Sequence, residues 1–302
     1  MKTFWIRTAS AAVYALLFLG SIYSGRMLGN SFWGVVVLTT FALFVAMGCT
    51  FEYFRIASKQ NYHPNRGLGY FFTALMTVII GLSVAFALPE ANIDYDEYWA
   101  PFACVGGFFI LCEVGIMVLV AIPVTLVTEL WRNSEHPFAD VLHTLLPMLY
   151  CAVPLGLMPY LHCSTNVLVM CIILVWVNDS FAYMGGSLLG RHKMWPKHSP
   201  GKTWEGTAIG VEACLLTAIF VGPLFQTKLG IGGWICIGLI CSVLGTLGDL
   251  VESMLKRSAG LKDSGNIMPG HGGFLDRFDS LLMIIPPATL VAGIITEIAI
   301  RR

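Results

Sequence analysis

The chain has 302 residues, of which 56% are hydrophobic and only 12% are charged, and its mean hydropathy is +0.74. Soluble domains carry about 25% charged residues, so this chain has too little polar surface to coat a globule of its size. The formal net charge of zero argues against a nucleic-acid-binding protein, which would show a basic excess. The composition therefore predicts an all-α polytopic membrane helix bundle.

The cysteines do not indicate a metal or redox site. There are nine of them, mostly inside apolar runs, and no two are spaced as C-x-x-C. We expect them to act as small hydrophobic residues within the helices.

The apolar runs set the number of membrane spans. A transmembrane helix needs about 20 predominantly apolar residues, which predicts about nine spans, at roughly residues 8–25, 31–50, 67–89, 101–128, 141–160, 166–188, 206–226, 231–250 and 278–300. The first run lacks a clear small-residue cleavage site, which favours an uncleaved anchor over a signal peptide. We divide the chain into N-terminal membrane helices (1–165) and C-terminal catalytic membrane helices with two cytoplasmic loops (166–302).

The distribution of basic residues predicts the orientation. With the N-terminus in the cytoplasm, most of the 18 Lys and Arg residues fall in cytoplasmic segments, as the positive-inside rule requires. Arg301 and Arg302 fall outside, so a span near either end could be miscounted.

Asp179 is the first candidate site residue. It lies inside the sixth predicted span, between Asn178 and Ser180. A carboxylate within a membrane is costly and by default marks a functional site, although a structural hydrogen-bonding cluster is the alternative. Glu113 and Glu212 also lie within predicted spans, but they lack polar neighbours and their roles stay open.

The loop 191–205 is the second candidate. Its four basic residues and two histidines would attract anionic headgroups at the membrane surface, unless they only set the topology. Its Ser-Pro-Gly-Lys-Thr run is not a Walker A motif, because Pro196 stands where a Walker A glycine is required and no strand precedes it. The pattern leaves a local site for substrate phosphate, formed by Ser199, Lys202, Thr203 and Glu205.

A third motif begins at Asp249. On a helix, Asp249, Glu252, Ser253 and Lys256 share one face. The small residues at Gly245, Thr246 and Gly248 would let another backbone approach that face closely.

The polar segment 253–279 follows this helix and leads into the last span. It contains a Pro-Gly-His-Gly-Gly turn, and then Asp276 and Asp279 in a first helical turn, where the helix dipole favours negative charge. We expect Asp249 and Asp276 to meet across the loop and hold Mg²⁺, which takes one or two carboxylates and leaves the other positions to water and substrate phosphates. His271 would donate to phosphate or cap the loop. The remaining charged candidates of the segment are Lys256, Arg257, Lys262, Asp263 and Arg277.

These residues carry a family resemblance. The stretch SMLKRSAGLKDSGNIMPGHGGFLDRFD (253–279) resembles the signature of phosphatidate cytidylyltransferases, also called CDP-diacylglycerol synthases. The stretches that begin at Asp179 and at Ser199 are similar to other segments of that family. Met268 departs conservatively from the signature, and the resemblance covers about Val175 to the C-terminus.

The resemblance implies a reaction and a set of partners. Family members join CTP and phosphatidic acid to give CDP-diacylglycerol and pyrophosphate, with Mg²⁺ and a stimulating monovalent cation such as K⁺. They use two aspartates at a metal centre facing the cytoplasm, which by motif are Asp249 and Asp276 here. The resemblance thus implies a multi-pass protein of the cell inner membrane that acts within membrane lipid and binds no nucleic acid; a homodimer stays open.

Within that hypothesis the charged residues divide into roles. Asp249, Asp276, Lys256, Arg257, Lys262, Asp263 and Arg277 form the catalytic centre and hold the triphosphate or the leaving group. Ser199, Lys202, Thr203, Glu205, His271 and Asp179 bind substrate or support the centre. The alternatives are a related CTP-dependent membrane enzyme acting on another lipid phosphate and, from a different class, an ion-coupled membrane transporter.

Overall fold

The computed structural model describes residues 15–24, 27–28, 31–87, 95–163, 166–225, 229–265 and 272–300, and almost all of these are helical. The helices are α1 (Ala15–Ser24), α2 (Ser31–Lys59), α3 (Arg66–Ala87), α4 (Tyr95–Arg132), α5 (Pro137–Pro147), α6 (Val153–Gly156), α7 (Met158–Cys163), α8 (Val167–Leu189), α9 (Trp204–Phe225), α10 (Gly230–Leu239), α11 (Gly245–Ser258) and α12 (Leu275–Ile300).

Eight helical segments of the described chain are long and apolar enough to cross a membrane. They are Phe32–Lys59, Arg66–Val84, Ile110–Arg132, Pro137–Leu161, Val167–Leu189, Trp204–Phe225, Gly230–Ser258 and Leu275–Ile295. Each overlaps one of the predicted spans, so the all-α polytopic membrane fold is confirmed. The first predicted span overlaps only the short apolar helix α1, and its residues 8–14 lie outside the described residues.

Two of these spans contain a π-helical segment. Met148–Ala152 follows α5, where Pro147 and Pro154 each remove a backbone donor from the helical ladder. Ile240–Leu244 joins α10 to α11, and there the Ser242 hydroxyl donates to the Gly238 carbonyl at 2.8 Å, a bond that competes with regular helix geometry. Such π-bulges often occur at functional sites, and the second one leads directly into the helix that carries Asp249.

The loop before α9 contains a short β-hairpin that the sequence did not indicate. Strands β1 (Lys193–Trp195) and β2 (Ser199–Thr203) pair antiparallel, and the turn is closed by a hydrogen bond from the His198 amide to the Trp195 carbonyl at 3.2 Å. The strands are too short and too charged to show an alternating apolar pattern, which is why the sequence reads as a loop. The hairpin matters because β2 carries Lys202.

The described residues form two compact units. The first comprises described residues within 1–91, 108–159 and 258–278, and the second comprises those within 92–107, 160–257 and 279–302. Small residues allow close helix packing in each: a side chain at Gly156 would press on Ile80 in the first unit, and one at Gly206 would meet the Ala182 carbonyl oxygen at 2.6 Å in the second. The predicted division into N-terminal and catalytic helices at residue 166 stays a prediction.

Candidate active site

An acidic cluster forms where α11 and α12 meet within the second unit. Asp249 and Glu252 lie one turn apart on α11, and Asp279 lies on α12. One carboxylate oxygen of each residue lies within 4.8 Å of the others. Glu252 is buried at 1% exposure, and Asp249 and Asp279 are half-buried. Three carboxylates at this separation repel one another strongly, so the site favours a cation.

Glycines on α11 bring these helices together. A side chain at Gly248 would place its Cβ 2.6 Å from the Asp279 carbonyl oxygen, so the two backbones are nearly in contact there. One turn earlier, the Ser280 hydroxyl donates to the Gly245 carbonyl at 3.1 Å. The prediction that the small residues at 245–248 admit a second backbone is confirmed, and this crossing determines which acidic residues of α12 face Asp249.

Two lysines interact with the cluster. Lys202 Nζ lies 2.7 Å from Asp249 Oδ2 and donates to the Thr246 carbonyl at 3.2 Å. The Lys202 ammonium group of the hairpin therefore lies against α11. Lys256 Nζ lies 2.5 Å from Glu252 Oε2, one turn along the same helix. Both lysines are mostly buried, which strengthens their electrostatic effect on any anion bound beside them.

Asp179 belongs to the same site. The side-chain Nδ2 of Asn178 donates to Thr246 Oγ1 at 3.2 Å and to Asp179 Oδ1 at 3.4 Å, and the first of these bonds links α8 to α11. Asp179 lies within electrostatic range of Lys202 and Asp249. Together with Asp249, Glu252 and Asp279 it makes four carboxylates that face two ammonium groups, so the cluster has a formal charge of minus two. Hard oxygen donors with that charge suit a divalent cation such as Mg²⁺.

The other polar residues of the hairpin region hold the hairpin against α9. The Thr203 side chain is buried, and its hydroxyl accepts a hydrogen bond from the Gly206 amide at 3.2 Å, as a helix N-cap does. Glu205 accepts from the Arg191 and His192 amides at 3.1 and 3.2 Å. Ser199 is half-buried at the start of β2. Direct contacts of Ser199, Thr203 and Glu205 with substrate stay predictions.

A second polar site lies in the first unit, around Asp276. Its carboxylate accepts hydrogen bonds from the Ser264 amide at 3.1 Å and from the Gly273 amide at 2.7 Å. The bond from Gly273 caps the start of α12, since Asp276 is in the first turn of that helix. Asp276 and Asp249 lie in different units, and their joint binding of a metal stays a prediction.

Glu52 of α2 is the other carboxylate at this second site. It is fully buried and accepts hydrogen bonds from the Phe274 and Leu275 amides, both at 2.9 Å. The Ser264 hydroxyl lies 2.6 Å from Glu52 and 3.0 Å from Asp276, so it can donate to either carboxylate. A side chain at Gly265 or Gly273 would overlap the Glu52 carboxylate. The first turn of α12 is therefore anchored by a charge from α2.

The remaining predicted site residues lie in the polar segment 253–279. The side chains of Arg257, Lys262, Asp263 and Arg277 are exposed. His271 lies outside the described residues, and its role stays a prediction. Ser253 faces the acidic cluster, with its hydroxyl 3.5 Å from Asp249 Oδ1.

Sequence reasoning missed three carboxylates of the two polar sites. Glu52 carries the same signal that singled out Asp179, a carboxylate inside an apolar helix, but the predicted span ended at residue 50, two residues before it. Glu252 and Asp279 were noted as neighbours of Asp249 and Asp276 but not as metal ligands. Their clustering depends on the α11–α12 crossing, which the sequence alone does not define.

An apolar groove of about 660 Å³ runs beside the acidic cluster within the second unit. It lies between α9 and α11 and is lined by Met194, Trp204, Thr207, Ala208, Val211, Glu212, Leu215, Leu216, Val243, Thr246 and Leu247. Thr246 belongs to both features, because its carbonyl accepts the bond from Lys202. A ligand with an apolar tail and an anionic head could therefore place the tail in the groove and the head near Lys202.

Comparisons with known proteins agree with this chemistry. Residues 5–295 match the cytidylyltransferase family. The chain is 40% identical over 288 residues to the phosphatidate cytidylyltransferase of Staphylococcus haemolyticus (strain JCSC1435), an alignment that covers 93% of the chain and 96% of that protein. The enzyme of the same name from Staphylococcus epidermidis (strain ATCC 12228 / FDA PCI 1200) is 30% identical over the same shares. The one from Staphylococcus aureus (strain COL) is 38% identical over 159 residues, which cover 51% of the chain and 60% of that protein.

Proposed function

Because the chain belongs to the cytidylyltransferase family, we propose that it transfers the CMP moiety of CTP to phosphatidic acid, giving CDP-diacylglycerol and pyrophosphate for phospholipid biosynthesis. The observation that carries this proposal is the cluster of Asp179, Asp249, Glu252 and Asp279 with Lys202, placed beside an apolar groove. The cluster suits a cation-bound polyphosphate and the groove suits a lipid chain.

The reaction needs little acid–base help from the protein. The phosphate monoester of phosphatidic acid has a second pKa near 6, so at neutral pH it is already largely ionised and nucleophilic. Its oxygen attacks the α-phosphorus of CTP, a new P–O bond forms, and the bond to the β-phosphate oxygen breaks with pyrophosphate taking the electron pair. What the protein must supply is positioning of two polyanions and stabilisation of the charge on the leaving group.

The residues of the acidic cluster fit this task. Asp249, Glu252 and Asp279 would hold Mg²⁺, with Asp276 as a further predicted ligand, and Asp179 would support this centre or a monovalent cation such as K⁺. The ion supplies neutralisation of phosphate oxygens when bound. Lys202, which contacts Asp249, and Lys256, which contacts Glu252, add two positive charges where the triphosphate would lie. Arg257, Lys262 and Arg277 stay candidates for holding pyrophosphate as it leaves.

The groove supports the assignment of a lipid acceptor. Its lining is almost wholly apolar and includes Trp204 and Leu216 of α9, which are both at least half exposed. An acyl chain could therefore enter laterally without crossing polar surface, while its headgroup stays near Lys202 and Thr246.

The proposed location is the cell inner membrane, with the active site facing the cytoplasm. Two facts support it: the bias of Lys and Arg toward one side of the predicted spans, and the bacterial origin of the relatives. A homodimer stays a prediction.

Product analysis of the purified protein with labelled CTP tests the proposal. With phosphatidic acid and Mg²⁺ we expect labelled CDP-diacylglycerol and pyrophosphate, and without Mg²⁺ or with Asp249→Asn we expect neither. A panel of lipid phosphates in competition separates this activity from that of a related enzyme, since preference for a polyprenyl phosphate would contradict the acceptor assignment. No nucleotide-dependent product with any lipid phosphate would favour the transporter alternative.

A further inference from the structure

A basic pocket lies at one end of the α2–α3 pair, within the first unit. It has a volume of about 310 Å³ and is lined by Phe51, Phe54, Arg55, Ser58, Lys59, Arg66 and Tyr70. None of the lining residues is acidic. Within the described residues, no carboxylate lies at ion-pair distance from Arg55, Lys59 or Arg66. Three cations thus share one small pocket in a chain whose net charge is zero.

Local structure positions Arg66 at the pocket. Arg66 Nη2 donates to Ser58 Oγ at 2.9 Å, which links the start of α3 to the end of α2. The Asn65 side chain caps α3 by accepting from the Leu68 amide at 3.2 Å. The connecting loop is fixed from α5, where Asp140 accepts from the His63 amide at 2.7 Å. The fold therefore fixes the loop that places Arg66 beside the end of α2.

The start of α3 also favours an anion here. The first turn of α3 contains no acidic residue, so its partial positive charge is not neutralised by a side chain. The hydroxyl of Tyr70 adds a neutral donor to the three cations, whereas the Ser58 hydroxyl already donates to the Phe54 carbonyl at 2.8 Å. A phosphate group has the charge and the acceptor oxygens that match this set.

The surroundings of the pocket decide between a soluble phosphate and a lipid. Lys59 and Arg66 are the end residues of two membrane spans, so the pocket lies at a membrane boundary. Phe51 lies one turn from Arg55 toward the membrane interior, about 6 Å along the axis, and it is 49% exposed. Phe44 and Phe71 are also more than half exposed on the same two helices. Cations above an exposed aromatic surface match an amphiphile.

We propose that this pocket binds the phosphate headgroup of an anionic phospholipid of the surrounding membrane, with its acyl chains lying along Phe44, Phe51 and Phe71. Basic pockets between transmembrane helices at the membrane surface are a recurrent mode of binding anionic lipid. The site involves none of the residues assigned to the transfer reaction, so it does not depend on the proposed function.

Native mass spectrometry of the purified full-length protein tests the inference. The protein in mixed micelles is titrated with phosphatidylglycerol or with phosphatidylcholine of the same acyl chains. The pocket variant combines Arg55→Gln, Lys59→Gln and Arg66→Gln. Each charge contributes about a fivefold change in binding, so we expect the variant to bind phosphatidylglycerol on the order of 100-fold more weakly than the wild type.

The matched control removes three charges from the exposed hairpin region: Arg191→Gln, Lys193→Gln and Lys197→Gln. It should bind phosphatidylglycerol more tightly than the pocket variant does, because these three residues do not line the pocket. A general attraction between cations and anionic lipid would instead be weakened equally by both sets of changes. If the triple pocket variant does not fold, Lys59→Gln alone, at an exposed position, should still weaken binding about fivefold.

Three results would overturn the inference. One is equal loss in the pocket and control variants, and another is equal binding of phosphatidylglycerol and phosphatidylcholine by the wild type. The third is displacement of bound phosphatidylglycerol by millimolar inorganic phosphate, which would identify the pocket as a site for a soluble anion.

Discussion

Replacing Glu52 by glutamine removes the charge from a fully buried carboxylate while keeping its shape. The two Glu52 oxygens accept from the Phe274 amide, the Leu275 amide and the Ser264 hydroxyl. Glutamine offers one oxygen and one NH₂ group in their place. The glutamine side chain is best oriented with its NH₂ group toward the Phe274 amide, because Ser264 and Leu275 then keep an oxygen as their acceptor. The buried Phe274 N–H then loses its partner.

The magnitude follows from those contacts. An unsatisfied buried donor costs about 1–3 kcal/mol. Loss of a buried negative charge at the start of α12 costs up to about 2 kcal/mol more. We therefore expect local opening of the first turn of α12 to become easier by about 1–5 kcal/mol for Glu52→Gln. This turn carries Asp276, so the turnover of CTP should fall as well.

Hydrogen exchange measures this opening directly. The Phe274 and Leu275 amides should exchange at least about fivefold faster in Glu52→Gln than in the wild type, since about 1 kcal/mol corresponds to a factor of about five. Glu52→Asp keeps the charge and should recover part of the protection. Glu129→Gln is the matched control, a buried glutamate of the same unit whose partner is Arg132, and it should leave these amides unchanged. Wild-type exchange in Glu52→Gln would refute the anchoring role.

Three further predictions concern the second unit. Lys202→Ala should lower kcat/KM for CTP by about 100-fold, because the variant loses a preorganised charge, whereas Lys193→Ala on the same hairpin should have little effect. Steady-state kinetics measure both values, and equal effects of the two substitutions would contradict the role of Lys202. Gly248→Ala should lower the thermal unfolding midpoint and abolish transfer, because the added Cβ would meet the α12 backbone. Gly232→Ala is the control and should be tolerated, because a Cβ at Gly232 would lie in open space. An unchanged unfolding midpoint for Gly248→Ala would refute the close helix crossing. Thr203→Ala should cost about 1 kcal/mol of stability through loss of the α9 cap, and an unchanged denaturant midpoint would remove that role.

The sequence predicted the fold because hydropathy alone identifies membrane helices. A run of about 20 apolar residues has few alternatives to spanning a bilayer, so eight spans were located to within a few residues at most ends. It also predicted the shared face of Asp249 and Glu252 and the close approach at Gly248, because both follow from helical periodicity along one segment. These features need no knowledge of which helices are neighbours.

The details of the site required three-dimensional contacts. Asp276 and Asp279 lie three residues apart on one helix, so periodicity cannot decide which of them faces Asp249. The backbone contact at Gly248 places Asp279 in the cluster. Glu52 and Leu275 are more than 200 residues apart along the chain, and no local pattern signals their hydrogen bond. The hairpin was missed because strands of three and five residues are too short to show a period.

Binding of Mn²⁺, measured by electron paramagnetic resonance on the purified protein, tests the central claim most directly. Mn²⁺ replaces Mg²⁺ at oxygen-ligand sites and reports binding without any turnover. We expect one bound ion in the wild type, and binding at least about tenfold weaker in Asp249→Asn and in Asp279→Asn. Glu212→Gln should bind Mn²⁺ as the wild type does, because Glu212 lines the apolar groove and is not part of the acidic cluster. Wild-type affinity in Asp249→Asn would contradict the assignment of this cluster as the metal centre.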